Sequence, residues 1–172
     1  ATLSFDERRS EFFTSELIIL LKLADKKIIN PDTLFGSWAG AFGNFQFMPS
    51  TINNYAIDYN NDGKIDLKNI EDSFASAANY LNKLGWNNDQ PCFYKIKLSE
   101  DVPIEYLNTS AKKIKNIKKL LNFQKNIKNI EHFSTFLNSK SALVTPDVDI
   151  IENSSKFDPA FIVFDNYELI LK

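Results

Sequence analysis

Oxygen-bearing side chains recur at alternate positions in Asp58-Tyr59-Asn60-Asn61-Asp62-Gly63-Lys64-Ile65-Asp66. Spaced in this way they can wrap a hard cation. Asp58, Asn60 and Asp62 offer side-chain oxygens, Gly63 permits a sharp turn, and Lys64 supplies its carbonyl. The run reproduces positions 1, 3, 5, 6 and 7 of an EF-hand loop, with an apolar residue at 8 and an acid at 9. Position 12 falls on Asn69, where a calcium sensor carries a bidentate Glu, so the pattern points to a structural site of modest affinity. A plain polar turn is the competing reading.

The second chemical stretch is Gly36-Ser37-Trp38-Ala39-Gly40-Ala41-Phe42-Gly43-Asn44-Phe45-Gln46-Phe47-Met48-Pro49-Ser50. Its glycines let the backbone turn tightly and let a ligand come close. Its aromatics offer flat faces for sugar rings, and Gln46 offers both a donor and an acceptor. Spacing alone leaves a ligand-binding loop and a packed structural turn both open. His132, the only histidine, has no carboxylate or thiol cluster near it in sequence and reads as a surface or core residue. Cys92 follows Pro91 and shows no nucleophile signature. The lysines from Lys112 to Lys119 read as a solvated helix face, with attraction to a carboxylate-bearing partner as the weaker alternative.

The elements that must position these residues follow from periodicity. Phe13, Leu17, Leu20, Leu21 and Ala24 predict a helix over 6–27, and Phe12, Ile18, Ile19 and Leu23 widen its stripe until it looks nearly buried. Asn30-Pro31-Asp32 ends it. A second helix starts near Ser50, after Pro49, and runs to Ile57. A third covers 70–84, with Asn69 as N-cap, Glu71 and Asp72 in the first turn, Gly85 as the stop, and Phe74, Ala77, Ala78, Leu81 and Leu84 as its apolar stripe. Tyr94–Leu98 alternates as a strand; Ser141–Thr145 and Phe161–Phe164 are short strand candidates. Residues 111–123 read as a helix with Ile114, Ile117 and Leu121 inside. No period of 20–50 residues repeats.

Bulk properties narrow the class. A length of 172 residues suits one domain, or one with a small subdomain. Hydrophobic residues at 44% exclude a disordered chain. A net charge of −2 gives no global pull toward nucleic acid or anionic lipid. One cysteine allows no internal disulfide, and the longest apolar run, Leu17–Leu23, is broken by Lys22, so no transmembrane segment is expected. The chain opens on Ala1 with neither leader nor initiator methionine and reads as a processed or cut piece.

The glycine-rich stretch resembles the signature of the B-type lytic transglycosylases, "GSxAGAxG" followed by "QFMPS". The resemblance continues through Tyr55–Asp58, Asp62–Leu67, Ala78-Asn79-Tyr80 and Gly85-Trp86, and includes Ala1–Asp6, Arg8-Arg9, Phe12-Phe13 and Glu16-Leu17. It is dense over 1–86, loose over 90–160, and tightens at Phe161–Lys172. Phe42 departs from the usual Met, a swap of one large apolar residue for another.

The resemblance implies an α+β, mainly α fold: a lysozyme-like helical domain with a small β-containing subdomain. It divides into residues 1–90 with the metal loop, 91–165 as a mixed α/β subdomain, and 166–172 as the start of a final helix returning to the helical domain. The implied reaction cuts the β-1,4 bond between N-acetylmuramic acid and N-acetylglucosamine, the muramic O6 attacking C1 to leave a 1,6-anhydro product. Ordinary glycosidases need two carboxylates; here the substrate supplies the nucleophile, and one glutamate with a raised pKa serves as acid and then base. That glutamate sits in a "VETxxG" segment upstream of Ala1, and no Glu-Thr pair occurs in the chain. The family's "YNxS" sugar motif falls after Lys172. Glu11 and Glu16 match helix residues, so no catalytic residue is expected within the chain, and the truncated chain itself is expected to be inactive. Ser37, Gln46 and Tyr80 match substrate-binding positions, while Trp38, Phe45 and Phe47 read more readily as core. The metal loop takes a later acid, Asp72, alongside Asp58, Asn60, Asp62 and Lys64, with Ca²⁺ or another cation in a structural role. The implied partners are peptidoglycan strands, with no nucleic acid and a monomeric state, in the periplasm or cell envelope with an outer-membrane anchor in the whole protein. A non-catalytic peptidoglycan-binding fragment stabilised by calcium is the rival reading, and a calcium module without a sugar site is the third.

Overall fold

Residues 1–99, 101–110, 112–145 and 159–171 are described by a computed structural model. They divide into a helical unit, Ala1–Gly85, and a sheet-based unit, Trp86–Lys172. In the first, a 3₁₀ turn at Thr2–Phe5 leads into α1 (Ser10–Asp25), a second turn at Pro31–Thr33, α2 (Pro49–Tyr55) and α3 (Ile70–Lys83). Helix α1 is shorter than the expected span 6–27, and α2 starts at Pro49 and stops at Tyr55 rather than running from Ser50 to Ile57, while α3 starts after Asn69 as expected. Asn30 Oδ1 accepts the Asp32 N–H at 3.1 Å, Pro49 begins α2 where its missing N–H costs nothing, and Asn69 Oδ1 accepts the Glu71 N–H at 2.7 Å.

The burial of these helices departs from expectation. Leu23, Ile29, Phe42, Ile52 and Leu67 form the core of the unit, joined by Ile19, Leu20 and Ala24. Helix α1 is therefore buried on one face, and Phe12, Ile18 and Leu21 stay exposed. In α3 the expected apolar stripe does not carry the packing: Phe74 is 61% exposed, and the buried residues are Asp72, Ser73 and Ser76. Polar groups can occupy that face because each is hydrogen-bonded, Asp72 and Ser76 by backbone N–H groups and Ser73 by donating to the Ile70 carbonyl and accepting from Asn44, and a satisfied polar group is cheap to bury.

In the second unit β1 (Phe93–Ile96), β2 (Leu107–Asn108), β3 (Lys118–Lys119), β4 (Lys140–Val144) and β5 (Ala160–Phe164) make a sheet ordered β1-β5-β4-β2, with β3 also on β4. β5 runs antiparallel to both neighbours, pairing Phe93 with Val163 and Ser141 with Phe164. β2 is parallel to β4, Leu107 facing Leu143, and β3 is antiparallel to it. Leu120, Phe123, Leu143 and Ile162 are fully buried. Helix α4 (Asp165–Ile170) follows β5 directly, and Asn166 ties it to the start of the unit by donating to the carbonyls of Asn87 at 2.8 Å and Gln90 at 2.6 Å.

The helix expected over 111–123 is absent among its described residues. Lys118–Lys119 pair as strand, and the N–H groups of Leu120 and Leu121 go to the carbonyls of Ser139 and Leu137 rather than back along a helix. Leu120–Phe123 is a 3₁₀ turn, and its three-residue repeat buries Leu120 and Phe123 instead of Ile117 and Leu121. Residue 111 of that span, residues 146–158 of the expected subdomain and Lys172 lie outside the described residues.

Candidate functional site: a glycine hairpin above a polar helix face

The glycine-rich stretch folds as two tight hairpins that share Phe42, bridged to Gly36 on one side and to Phe47 on the other. Two of the glycines are required by space. A Cβ on Gly36 would collide with the Ala41 carbonyl oxygen, and one on Gly43 with the Leu67 Cβ. In the first hairpin Ser37 accepts the Gly40 N–H at 2.9 Å through its carbonyl and the Ala41 N–H at 3.1 Å through Oγ. Trp38 occupies the tip of that turn and is 85% exposed, so the reading of Trp38 as core is overturned: a residue at the crest of so short a turn has no neighbours to bury it. Phe45 is also exposed at the second hairpin, while Phe47 is half-buried.

Gln46 sits in the left-handed region at φ 53°. For a residue with a Cβ this costs on the order of 1–2 kcal/mol. The surroundings enforce it: Phe42 and Phe47 exchange two backbone hydrogen bonds of 2.8 Å, and Gln46 Nε2 donates to the Gly43 carbonyl at 2.9 Å. One amide N–H and the Oε1 acceptor of the side chain are left for a ligand. Tyr80 reaches the hairpin through Phe47, at 5.7 Å between ring centroids, and packs on Tyr55 at 5.1 Å. Ser37 and Gln46 thus share one hairpin pair, and Tyr80 braces it from α3.

Beside Trp38 lies a cavity of about 200 Å³, lined by Ser4, Glu16, Leu17, Leu20, Gly40 and Pro49 among others. Glu16 is 7% exposed, with Oε1 accepting from the Ser50 hydroxyl at 2.6 Å and Oε2 from the Ser50 N–H at 2.9 Å. The family resemblance matches Glu16 only to a helix residue. Its place on the apolar arc between Phe13 and Leu20 is the signal that it must find a buried partner.

The oxygen-rich loop closes on itself. Asp58 accepts from the N–H groups of Asp62 at 3.1 Å and Gly63 at 2.8 Å, Asn60 from Asp62 at 3.1 Å, and Asp62 from Lys64 at 2.9 Å. Asp72 is fully buried beneath it and accepts the N–H of Tyr59 through Oδ1 and of Asp66 through Oδ2, both at 2.9 Å. The rest of the α3 face continues the pattern. Ser76 accepts from Ile57 at 2.9 Å, Asn79 donates to Tyr55 at 2.8 Å, and Ser73 accepts from Asn44 of the hairpin at 3.1 Å. Asn69 is spent as the cap of α3 and does not join the loop. Among the described residues no three His, Cys, Asp or Glu side chains are gathered as a metal cluster. The donor chemistry nevertheless suits a hard cation, since every available group is oxygen and three of them are carboxylates, each with lone pairs left over.

His132 is exposed. Cys92 is a free, half-buried thiol, and burial pushes its pKa up.

Two hairpins on a polar helix face, in a helical unit followed by a small mixed sheet, define the class. The chain matches the transglycosylase SLT domain family over residues 1–172 and belongs to it; its fold is the α+β, lysozyme-like fold of that family. Over 87 residues it is 46% identical to membrane-bound lytic murein transglycosylase B of Escherichia coli strain K12, an alignment covering 50% of this chain and 24% of that protein. It superposes on SltB3 of Pseudomonas aeruginosa, solved in complex with NAG-NAM-pentapeptide, at TM-score 0.83 and 30% identity over 99% of this chain and 44% of SltB3. The Escherichia coli transglycosylase Slt35 in complex with calcium is similar at TM-score 0.67 and 26% identity, over 98% of this chain and 50% of Slt35. The chain spans half or less of the length of these relatives. Among the described residues no helix is long and apolar enough to cross a membrane.

Proposed function

We propose that the protein is a murein lytic transglycosylase of the cell envelope, cleaving the bond between N-acetylmuramic acid and N-acetylglucosamine with formation of a 1,6-anhydro product. The observation that carries this reading is the strained hairpin that keeps Gln46 and Ser37 hydrogen-bonding groups unspent, in a family one of whose members was solved with a NAG-NAM-pentapeptide. Ser37 Oγ accepts from Ala41, which leaves its hydroxyl proton to donate to substrate. Gln46 gives one donor and one acceptor to an acetamido or hydroxyl group. Tyr80 walls the hairpin, and Trp38 presents an indole face on which a pyranose ring can stack. In this reading the proton donor is the family's glutamate, to which no residue of 1–172 is matched. Glu16 does not take that part, because both its oxygens are engaged by Ser50.

We assign to the loop a hard divalent cation, calcium first, held by Asp58, Asn60, Asp62, the Lys64 carbonyl and Asp72. Support comes from the all-oxygen donor set and from the calcium complex of Slt35. When bound, the cation supplies charge that offsets the three carboxylates; the reaction itself does not use it.

The test is chromatography of murein digested by the full-length protein, with 1,6-anhydromuropeptides as the expected product. In parallel, N-acetylglucosamine oligomers should quench or shift Trp38 fluorescence. Gln46→Ala should weaken their binding by roughly five- to tenfold without unfolding the protein, the cost of one hydrogen bond in a partly desolvated site. Hydrated rather than anhydro ends, or an affinity unmoved by Gln46→Ala, would refute the assignment.

A further inference from the structure

Glu16 lies 34 residues from Ser50 in sequence and is bound to it by two short hydrogen bonds. Ser50 is the second residue of α2, where the backbone N–H groups have no partner within the helix and the local field favours an anion. A buried carboxylate on α1 therefore pins the start of α2. Only Met48 and Pro49 separate that pin from Phe47, whose paired hydrogen bonds with Phe42 close the hairpin around Gln46. The other side of the hairpin is held by Gly43 pressed on Leu67 and by the Asn44 N–H donating to the Leu67 carbonyl at 3.0 Å. A left-handed residue that is not glycine persists only where its surroundings over-determine it. The Leu67 contact and the Ser50 pin are the two fixed ends that do so.

We propose that Glu16 is a positioning residue for substrate binding: by latching Ser50 it fixes the start of α2 against α1 and so maintains the strained backbone of Gln46. It touches no substrate. The consequence for sugar affinity rests on the reading of Gln46 as a sugar contact; the latch itself does not.

The test uses the full-length protein and chitotetraose as the sugar probe, on wild type, Glu16→Ala, Gln46→Ala and the double variant. Amide hydrogen exchange at Phe42 and Phe47 is measured in the same samples. Each single substitution is expected to weaken binding about tenfold, and the double variant no more than that, whereas independent contributions would multiply to about a hundredfold. Glu16→Ala should speed exchange at Phe42 and Phe47 by about tenfold or more while the β5 amides are unmoved. Glu16→Gln should restore both readouts, because an amide can accept the Ser50 N–H and donate to the Ser50 hydroxyl, which turns from donor to acceptor. Multiplicative losses, or hairpin exchange unchanged in Glu16→Ala, would overturn the proposal. If wild type fails to bind chitotetraose, the sugar-binding reading falls, and the exchange measurement alone decides the latch. If Glu16→Ala does not fold, Ser50→Ala, which removes the 2.6 Å contact, takes its place with the same criteria.

Discussion

Replacing Asp72 by Asn separates two roles that the loop region allows for this residue. As a cation ligand Asp72 would matter only when the cation is bound. As a backbone clasp it matters always, since its two oxygens receive the N–H groups of Tyr59 and Asp66 at 2.9 Å from a fully buried position. The amide of Asn keeps one acceptor and turns an NH₂ toward the other N–H, leaving one buried donor without a partner. That loss is worth about 1–3 kcal/mol, reduced somewhat because a buried charge is also removed, so about 2 kcal/mol is expected. In a unit of this size that shifts the thermal midpoint by roughly 10 °C. The assay is urea and thermal unfolding followed by circular dichroism, in EDTA and again in millimolar calcium. Asp72→Asn should be destabilising in both. Asp58→Ala, whose bonds lie at the surface, should cost less than about 1 kcal/mol in EDTA and more in calcium. An Asp72→Asn protein as stable as wild type in EDTA would refute the clasp, and no calorimetric calcium binding by wild type would refute the cation assignment.

Three further outcomes follow from particular side chains. Gln46→Gly should be more stable than Gln46→Ala by about 1 kcal/mol in urea titration, because only glycine occupies the left-handed region without strain; the reverse order would contradict the strain argument. Gly43→Ala should cost about 2 kcal/mol or more, since its Cβ meets Leu67 at a φ of 73°, and a neutral result would show that the hairpin does not need that approach. The Cys92 thiol, pushed up by burial, should react with iodoacetamide more slowly in the folded protein than in urea at pH 8, its rate rising only at more alkaline pH. Because folding favours the protonated thiol, the stability it contributes is full below the unfolded pKa and lost as pH rises through the folded one.

Local chemistry was legible wherever a residue's role depends on its neighbours in sequence. Asn69 before Glu71, Pro49 at the head of the second helix and Gly85 after the third all act within a few residues, and each starts or stops its helix as expected. The strands around Tyr94, Leu143 and Ile162 were legible for the same reason. The glycine stretch was read as sugar-binding only through its resemblance to a family, because spacing alone did not distinguish a binding loop from a packed turn, and its folding as two hairpins was not legible at all.

What the tertiary structure decided is which face of each element meets another. Apolar periodicity marked Phe74 and Leu81 as the inner face of α3, yet Asp72, Ser73 and Ser76 are buried, because the facing segment presents unpaired backbone N–H groups from Ile57, Tyr59 and Asp66. Lysine-rich periodicity favoured a helix near Lys118, yet β4 offered a free edge, and strand pairing there satisfies backbone groups that a helix would satisfy internally. Glu16 looked like an ordinary helix carboxylate until Ser50, distant in sequence, met it at the end of α2. Side-chain spacing along a chain encodes an element's own geometry; the partner that makes a buried polar group tolerable lies elsewhere in the sequence, and only folding brings the two together.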